Sequence, residues 1–130
     1  MCLEIIASIS SNAKARISAE RLSQLSGLAV SSRKVNGAPG LHFAVTGGCS
    51  CEFLSDDAEF ECETWALSPS YLAALSQAVL ALAKECKSFT FVAHWLNGER
   101  PRTTEKISGS ALAKLVSENK VGNNVLYIAG

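Results

Sequence analysis

The sequence predicts an α+β domain in which helices cover one face of an antiparallel sheet, and three observations predict it. A helix-entry pattern recurs three times, as Ile17-Ser18 with Leu22 and Leu25, Leu67-Ser68 with Leu72 and Leu75, and Ile107-Ser108 with Leu112 and Leu115. The segments between these entries are rich in β-branched and aromatic residues or alternate in polarity, which suits strands. Asn-Gly dipeptides at Asn36-Gly37 and Asn97-Gly98 supply the positive φ that chain reversals require.

In each helix entry the serine can occupy the N-cap and accept from an orphan backbone N–H, while the apolar residue before it packs on the leucine four positions beyond the cap. The first helix is predicted over 19–26, with Gly27 free to take the left-handed conformation at its end. The second begins with Pro69 at its first position and carries Leu72, Leu75, Val79, Leu82 and Cys86 three or four residues apart, a stripe that must pack on something apolar. Cys86 is therefore a core residue. The third helix is predicted over 109–120, ending before Gly122. Strands are predicted at 2–9, 28–35, 41–46, 88–96, 102–107 and 124–128. Pro39 and Pro101, following the two glycines, point to hairpin loops longer than two residues.

In order, residues 1–96 give β-α-β-β-α-β, the split arrangement of a ferredoxin-like core, and the remainder adds a C-terminal β-α-β extension that widens the sheet or packs beside it. At 130 residues, with no linker or low-complexity tract, the chain is expected to form a single domain. Apolar residues make up 48% and charged residues 18%, which excludes a disordered chain.

Lysine plus arginine equals aspartate plus glutamate at 12 each, so the overall field offers nothing to a polyanion, and no nucleic-acid role is expected. The aromatic residues of the 88–96 strand lack the basic-glycine-aromatic run of RNA-binding sheets. The apolar start lacks a basic leader and is too short to span a bilayer, so it is a core strand and no membrane role is expected. Five cysteines, an odd number with no export signal, fit thiols or ligands better than a disulfide framework and point to the cytoplasm.

One segment breaks the economy of this scaffold. Residues 47–64 form an acidic insertion where a handful of residues would suffice. It holds Glu52, Asp56, Asp57, Glu59, Glu61 and Glu63, half of all the acidic residues, and no lysine or arginine occurs between Lys34 and Lys84. It also carries Cys49, Cys51 and Cys62.

Two chemical readings follow. In the first, Cys49 and Cys51 lie on one side of an extended stretch and share zinc or another thiophilic metal, with Cys62 adding a sulfur and His42 a nitrogen. The C-x-C spacing is shorter than that of usual structural zinc pairs, and the carboxylates disfavour thiolates. In the second, the same dithiol cycles redox-wise, with the amides of Gly47 and Gly48 standing in for absent cations. The plainer reading makes the cysteines small buried fillers and the acids a solvated edge, since Phe60, Cys62 and Thr64 alternate with Glu59, Glu61 and Glu63.

His42 and His94 sit on predicted strands and complete the binding candidates. His94 alternates against Phe89, Phe91, Ala93 and Trp95, so it faces away from the helices if those residues form the floor beneath them. A sheet face carrying histidine and small residues suits a ligand floor or a dimer surface. No phosphate-binding glycine loop, Ser-His-Asp set or HExxH helix is present, so no enzymatic activity is assigned. The expectation is a small non-enzymatic domain that binds a ligand or partner, or self-associates, through its sheet and acidic insertion. The alternative is a metal or thiol-redox protein centred on Cys49-Ser50-Cys51.

Overall fold

The computed structural model describes residues 3–9, 18–35, 38–46, 49–54, 67–86, 88–95, 103–122 and 124–129. It is an α+β structure with the order β1 (Leu3–Ile9), α1 (Ala19–Ser26), β2 (Ala29–Val35), β3 (Ala38–Ala44), a 3-10 turn (Ser50–Phe53), α2 (Pro69–Glu85), β4 (Phe89–Trp95), β5 (Thr103–Ile107), α3 (Gly109–Ser117) and β6 (Val125–Ala129). The strands form one open sheet in the order β2-β3-β1-β4-β6-β5. Every neighbouring pair is antiparallel except β5 and β6, which are parallel.

The side-chain period of two sorts the sheet into faces. Leu3, Ile5, Ala7 and Ile9, with Leu41, Phe43, Phe89, Phe91, Ala93, Tyr127 and Ala129, join Leu22 of α1, Leu75, Val79 and Leu82 of α2 and Leu112 and Val116 of α3 in one buried cluster. All three helices therefore cover the same face. The register puts Glu4, Ile6 and Ser8, Ser31 and Arg33, His42, Thr90 and Val92, and Ile128 on the other. β1 is central and buried along nearly its whole length, which is why its sequence is an almost unbroken apolar run. Cys86 is buried, and burial first, with the charge of Glu85 second, pushes its thiol up, as befits a core filler.

The helix ends follow the capping logic in two of the three entries. Ser18 accepts from the Arg21 N–H at 3.2 Å and Ser108 from the Ala111 N–H at 3.1 Å. Ser68 makes no side-chain cap, because the Tyr71 N–H is already taken by the Ser68 carbonyl at 3.1 Å. Gly27 closes α1 at φ 76°. α3 stops at Ser117, earlier than residue 120, because Asn119 rather than a glycine takes the left-handed conformation at φ 60°. Asn119 does further work there. Its Oδ1 accepts from the Leu67 N–H at 3.0 Å and its Nδ2 donates to the Leu67 carbonyl at 2.9 Å, pinning the entry of α2 to the exit of α3.

The β2–β3 connection is tighter than Pro39 suggests. Val35 pairs with Ala38, so only two residues, 36 and 37, join the strands, and β3 begins at Ala38 rather than Leu41. Next to a two-residue turn the closing pair exchanges hydrogen bonds, so in the following pair, Lys34 with Pro39, the Pro39 backbone polar positions point away from β2. On the other side the β1 ladder ends at Gly40, so the missing proline N–H costs no sheet bond.

α2 and α3 pack at a distance only glycine permits. A Cβ on Gly109 would lie 2.3 Å from the Ala83 Cβ. Gly109→Ala is expected to lower stability by about 1–3 kcal/mol through overpacking despite its better helix propensity, measured as a shift of the urea midpoint at constant slope.

Candidate functional site

The Cys49-Ser50-Cys51 motif lies where two central strands part. The β1–β3 ladder runs through Ser8↔Gly40, Ala7↔Leu41 and Ile6↔His42. Continued, it would pair Ile5 with Phe43 and Leu3 with Val45. Instead the 3-10 turn enters the gap. The fully buried Ser50 hydroxyl accepts from the Ile5 N–H at 2.9 Å and donates to the Phe43 carbonyl, one hydroxyl doing the work of the direct strand-to-strand bond. The Leu3 N–H donates to Cys51 Sγ at 3.0 Å. Glu52 accepts from the Thr46 N–H at 3.2 Å and from the Thr46 hydroxyl. Phe53, with no exposure, anchors the turn against Tyr71 edge-to-face, ring centroids 5.9 Å apart. Three successive side chains thus satisfy strand groups that the splayed ladder leaves open.

This geometry corrects the premise that Cys49 and Cys51 converge from an extended stretch. Cys49 is extended at the N-cap, but Cys51 lies inside the 3-10 turn with its sulfur on the β1 backbone. Among the described residues no three His, Cys, Asp or Glu side chains are grouped to hold a metal ion. Gly47, Gly48 and Cys62 lie outside the described residues, and so does the proposed alternation of residues 59–64.

His42 is buried, 5% exposed, and its Nε2 lies 3.3 Å from Ser50 Oγ. Ser50 has one proton, which goes to the Phe43 carbonyl, so the imidazole supplies the proton of this contact and the neutral ring is the Nε2–H tautomer. Burial first, and the Arg33 guanidinium second, hold its pKa below 6.5. On the same face the Arg33 guanidinium reaches across β3 to the buried Glu4 carboxylate of β1. The backbone register sets His94 opposite Glu4; its side chain lies outside the described residues.

The sequence reading gives Ser50 only as the spacer of C-x-C and assigns no role at this site to Glu4 or Arg33. An acid inside a central strand was the available signal, because a buried carboxylate demands a partner.

A second feature is an open depression of about 380 Å³ lined by Ser88, Lys106, Ile107, Ser108, Ile128 and Ala129, at the end of β5 where α3 begins. No helix of the described chain is long and apolar enough to cross a membrane. No family model, curated protein or solved structure matches the chain.

Two outcomes follow. Ser50→Ala strands the Ile5 N–H, the Phe43 carbonyl and the His42 Nε2–H, and is expected to cost about 2–4 kcal/mol in urea unfolding, whereas Cys51→Ser, which keeps an acceptor for Leu3, costs under about 1 kcal/mol. Because the folded state holds the His42 pKa below 6.5, the unfolded chain takes up the proton first as pH falls. The stability contributed by neutral His42 is complete above pH 6.5 and is lost between 6.5 and the lower folded value. Denaturation midpoints across that window should fall with pH, and less steeply in His42→Gln.

Proposed function

We propose that this chain is a small non-enzymatic domain that binds a partner, in the first place a second copy of itself, through its sheet. The observation that carries the reading is the asymmetry of the sheet. One face lies under three helices. Across the other, among the described residues, no helix passes; Glu4, Ile6 and His42 near its centre are buried, but Thr90, Val92, Leu126 and Ile128 are only half-buried and Ser31, Arg33, Thr104 and Lys106 are exposed. The accessible positions flanking that centre mix apolar and polar groups, which suits association.

The same reading takes β1 to β4 with α1 and α2 as a ferredoxin-like core, supported by the antiparallel order β2-β3-β1-β4, and takes β5, α3 and β6 as an extension that lengthens the sheet beyond β4. A cytoplasmic location belongs to this proposal, on the odd cysteine count. The alternative centred on Cys49 and Cys51 has less to support it. The hydroxyl, sulfur and carboxylate of Ser50, Cys51 and Glu52 are engaged with backbone groups of β1 and β3.

Light scattering across a concentration series should give the mass of a dimer, and amide shifts on dilution should map to the sheet positions named above. A strictly monomeric species at the highest concentration overturns the proposal. Near-stoichiometric metal in freshly purified protein would favour the cysteine-centred alternative.

A further inference from the structure

One rim of the sheet brings together the start of β4 and the ends of β6 and β5. The parallel ladder of β5 and β6 closes at Ile107↔Ala129, and Ala129 also pairs with Phe89, the first residue of β4. The chain leaves β5 through Ser108 alone before α3 begins at Gly109. A crossover of this kind carries the helix away from the carboxyl ends of its parallel strands and leaves room there, a place where open sheets commonly seat ligands. The depression of about 380 Å³ lies at this rim, lined among the described residues by Ser88, Lys106, Ile107, Ser108, Ile128 and Ala129.

Its chemistry is divided. Ile107 and Ile128 are half-buried and Ala129 is buried, and all three offer only hydrocarbon, from which water is displaced at a gain. Each polar side chain on the lining can donate a hydrogen bond. Lys106 is exposed, takes part in none of the ion pairs among the described residues, and carries donors without an acceptor. The Ser108 hydroxyl accepts from the Ala111 N–H at 3.1 Å, which leaves its own proton for Ser110, 3.3 Å away, or for a ligand. Ser88 is exposed, and no acidic residue belongs to the described lining. A neutral apolar ligand leaves these donors unmatched, and an inorganic anion leaves the hydrocarbon wet. A molecule with a short apolar body and an anionic head satisfies both.

We propose that the depression binds a small amphipathic carboxylic acid, its hydrocarbon on Ile107, Ile128 and Ala129 and its carboxylate at Lys106, with Ser88 and Ser108 as further donors. The volume lies at the small end of the range of about 300–1,000 Å³ in which ligand pockets fall, so the body is a few carbons long. The site does not depend on the self-association reading.

The test titrates the full chain at neutral pH with hexanoate, hexanamide or inorganic phosphate, followed by backbone amide shifts at a dilution where light scattering gives the monomer mass. Hexanoate is expected to saturate, with its shifts concentrated on Ser88, Lys106 to Gly109, Ile128 and Ala129. Hexanamide has the body without the charge and phosphate the charge without the body, and each binds at least about fivefold more weakly. Lys106→Met keeps the length of the side chain, removes its charge and brings hexanoate down to the affinity of hexanamide. Lys114→Met, an exposed change elsewhere on α3, leaves every affinity within about twofold. Both lysines are exposed, so both variants fold, and an unchanged amide spectrum away from the substitution shows it. Hexanoate shifts that do not saturate, or that fall equally on other lysines, overturn the proposal. So does equal affinity of the wild type for hexanoate and hexanamide, or an unchanged hexanoate affinity in Lys106→Met. Self-association is decided separately, by the mass of the undiluted protein.

Discussion

The structure depends on a single hydroxyl placed between two central strands. Ser50 relays the Ile5 N–H to the Phe43 carbonyl at the point where β1 and β3 separate, and it does so with no solvent exposure. A buried splay of this kind leaves backbone donors and acceptors that cost roughly 1–3 kcal/mol each if unmatched. Cys51 and Glu52 complete the repair on either strand. The wedge also carries Phe53 into the core, and the Phe53 carbonyl accepts from the Ser68 N–H at 2.6 Å. The start of α2 is thereby tied to the same turn, and through Leu67 and Asn119 to the end of α3.

The relay has an electrostatic companion on the face of the sheet away from the helices. His42 donates to Ser50 through Nε2, and burial, with the nearby guanidinium of Arg33 second, disfavours the charged ring. Arg33 in turn neutralises Glu4, a carboxylate that burial would otherwise penalise. The three side chains come from β3, β2 and β1, so the ion pair staples the edge strand to the centre of the sheet across the strand between them. Removing the arginine leaves a buried charge, which is a larger loss than an exposed surface pair represents.

Much of the scaffold was legible because its signals are local. Ser18, Ser108, Gly27 and the stripe of Leu75, Val79, Leu82 and Cys86 act within one or two turns of themselves, and each does what its spacing implies. The misses come from competition or distance. Asn119 ended α3 early because its amide has a second employment on Leu67, 52 residues away in sequence. Pro39 fits inside β3 because the neighbouring ladder stops one residue short, which no local pattern reveals. At C-x-C the sequence draws the eye to the two cysteines, whereas the residue that bridges the strands is the serine between them, whose partners are 45 and 7 residues away.

That outcome changes what the acidic insertion can be. Its first residues, Ser50 to Phe53, belong to the fold, and the bridge between Leu54 and Leu67 closes the neck of the excursion. With Glu52 engaged by Thr46, the five acids from Asp56 to Glu63 are those left beyond that neck, with no basic residue in the same stretch. Concentrated like charge favours a complementary surface over self-packing, because bringing carboxylates together in cis raises their mutual repulsion whereas a cationic partner relieves it. The rest of the chain has the opposite excess. The neutrality that argues against a polyanion partner is therefore the sum of an acidic stretch and a basic remainder of the sequence.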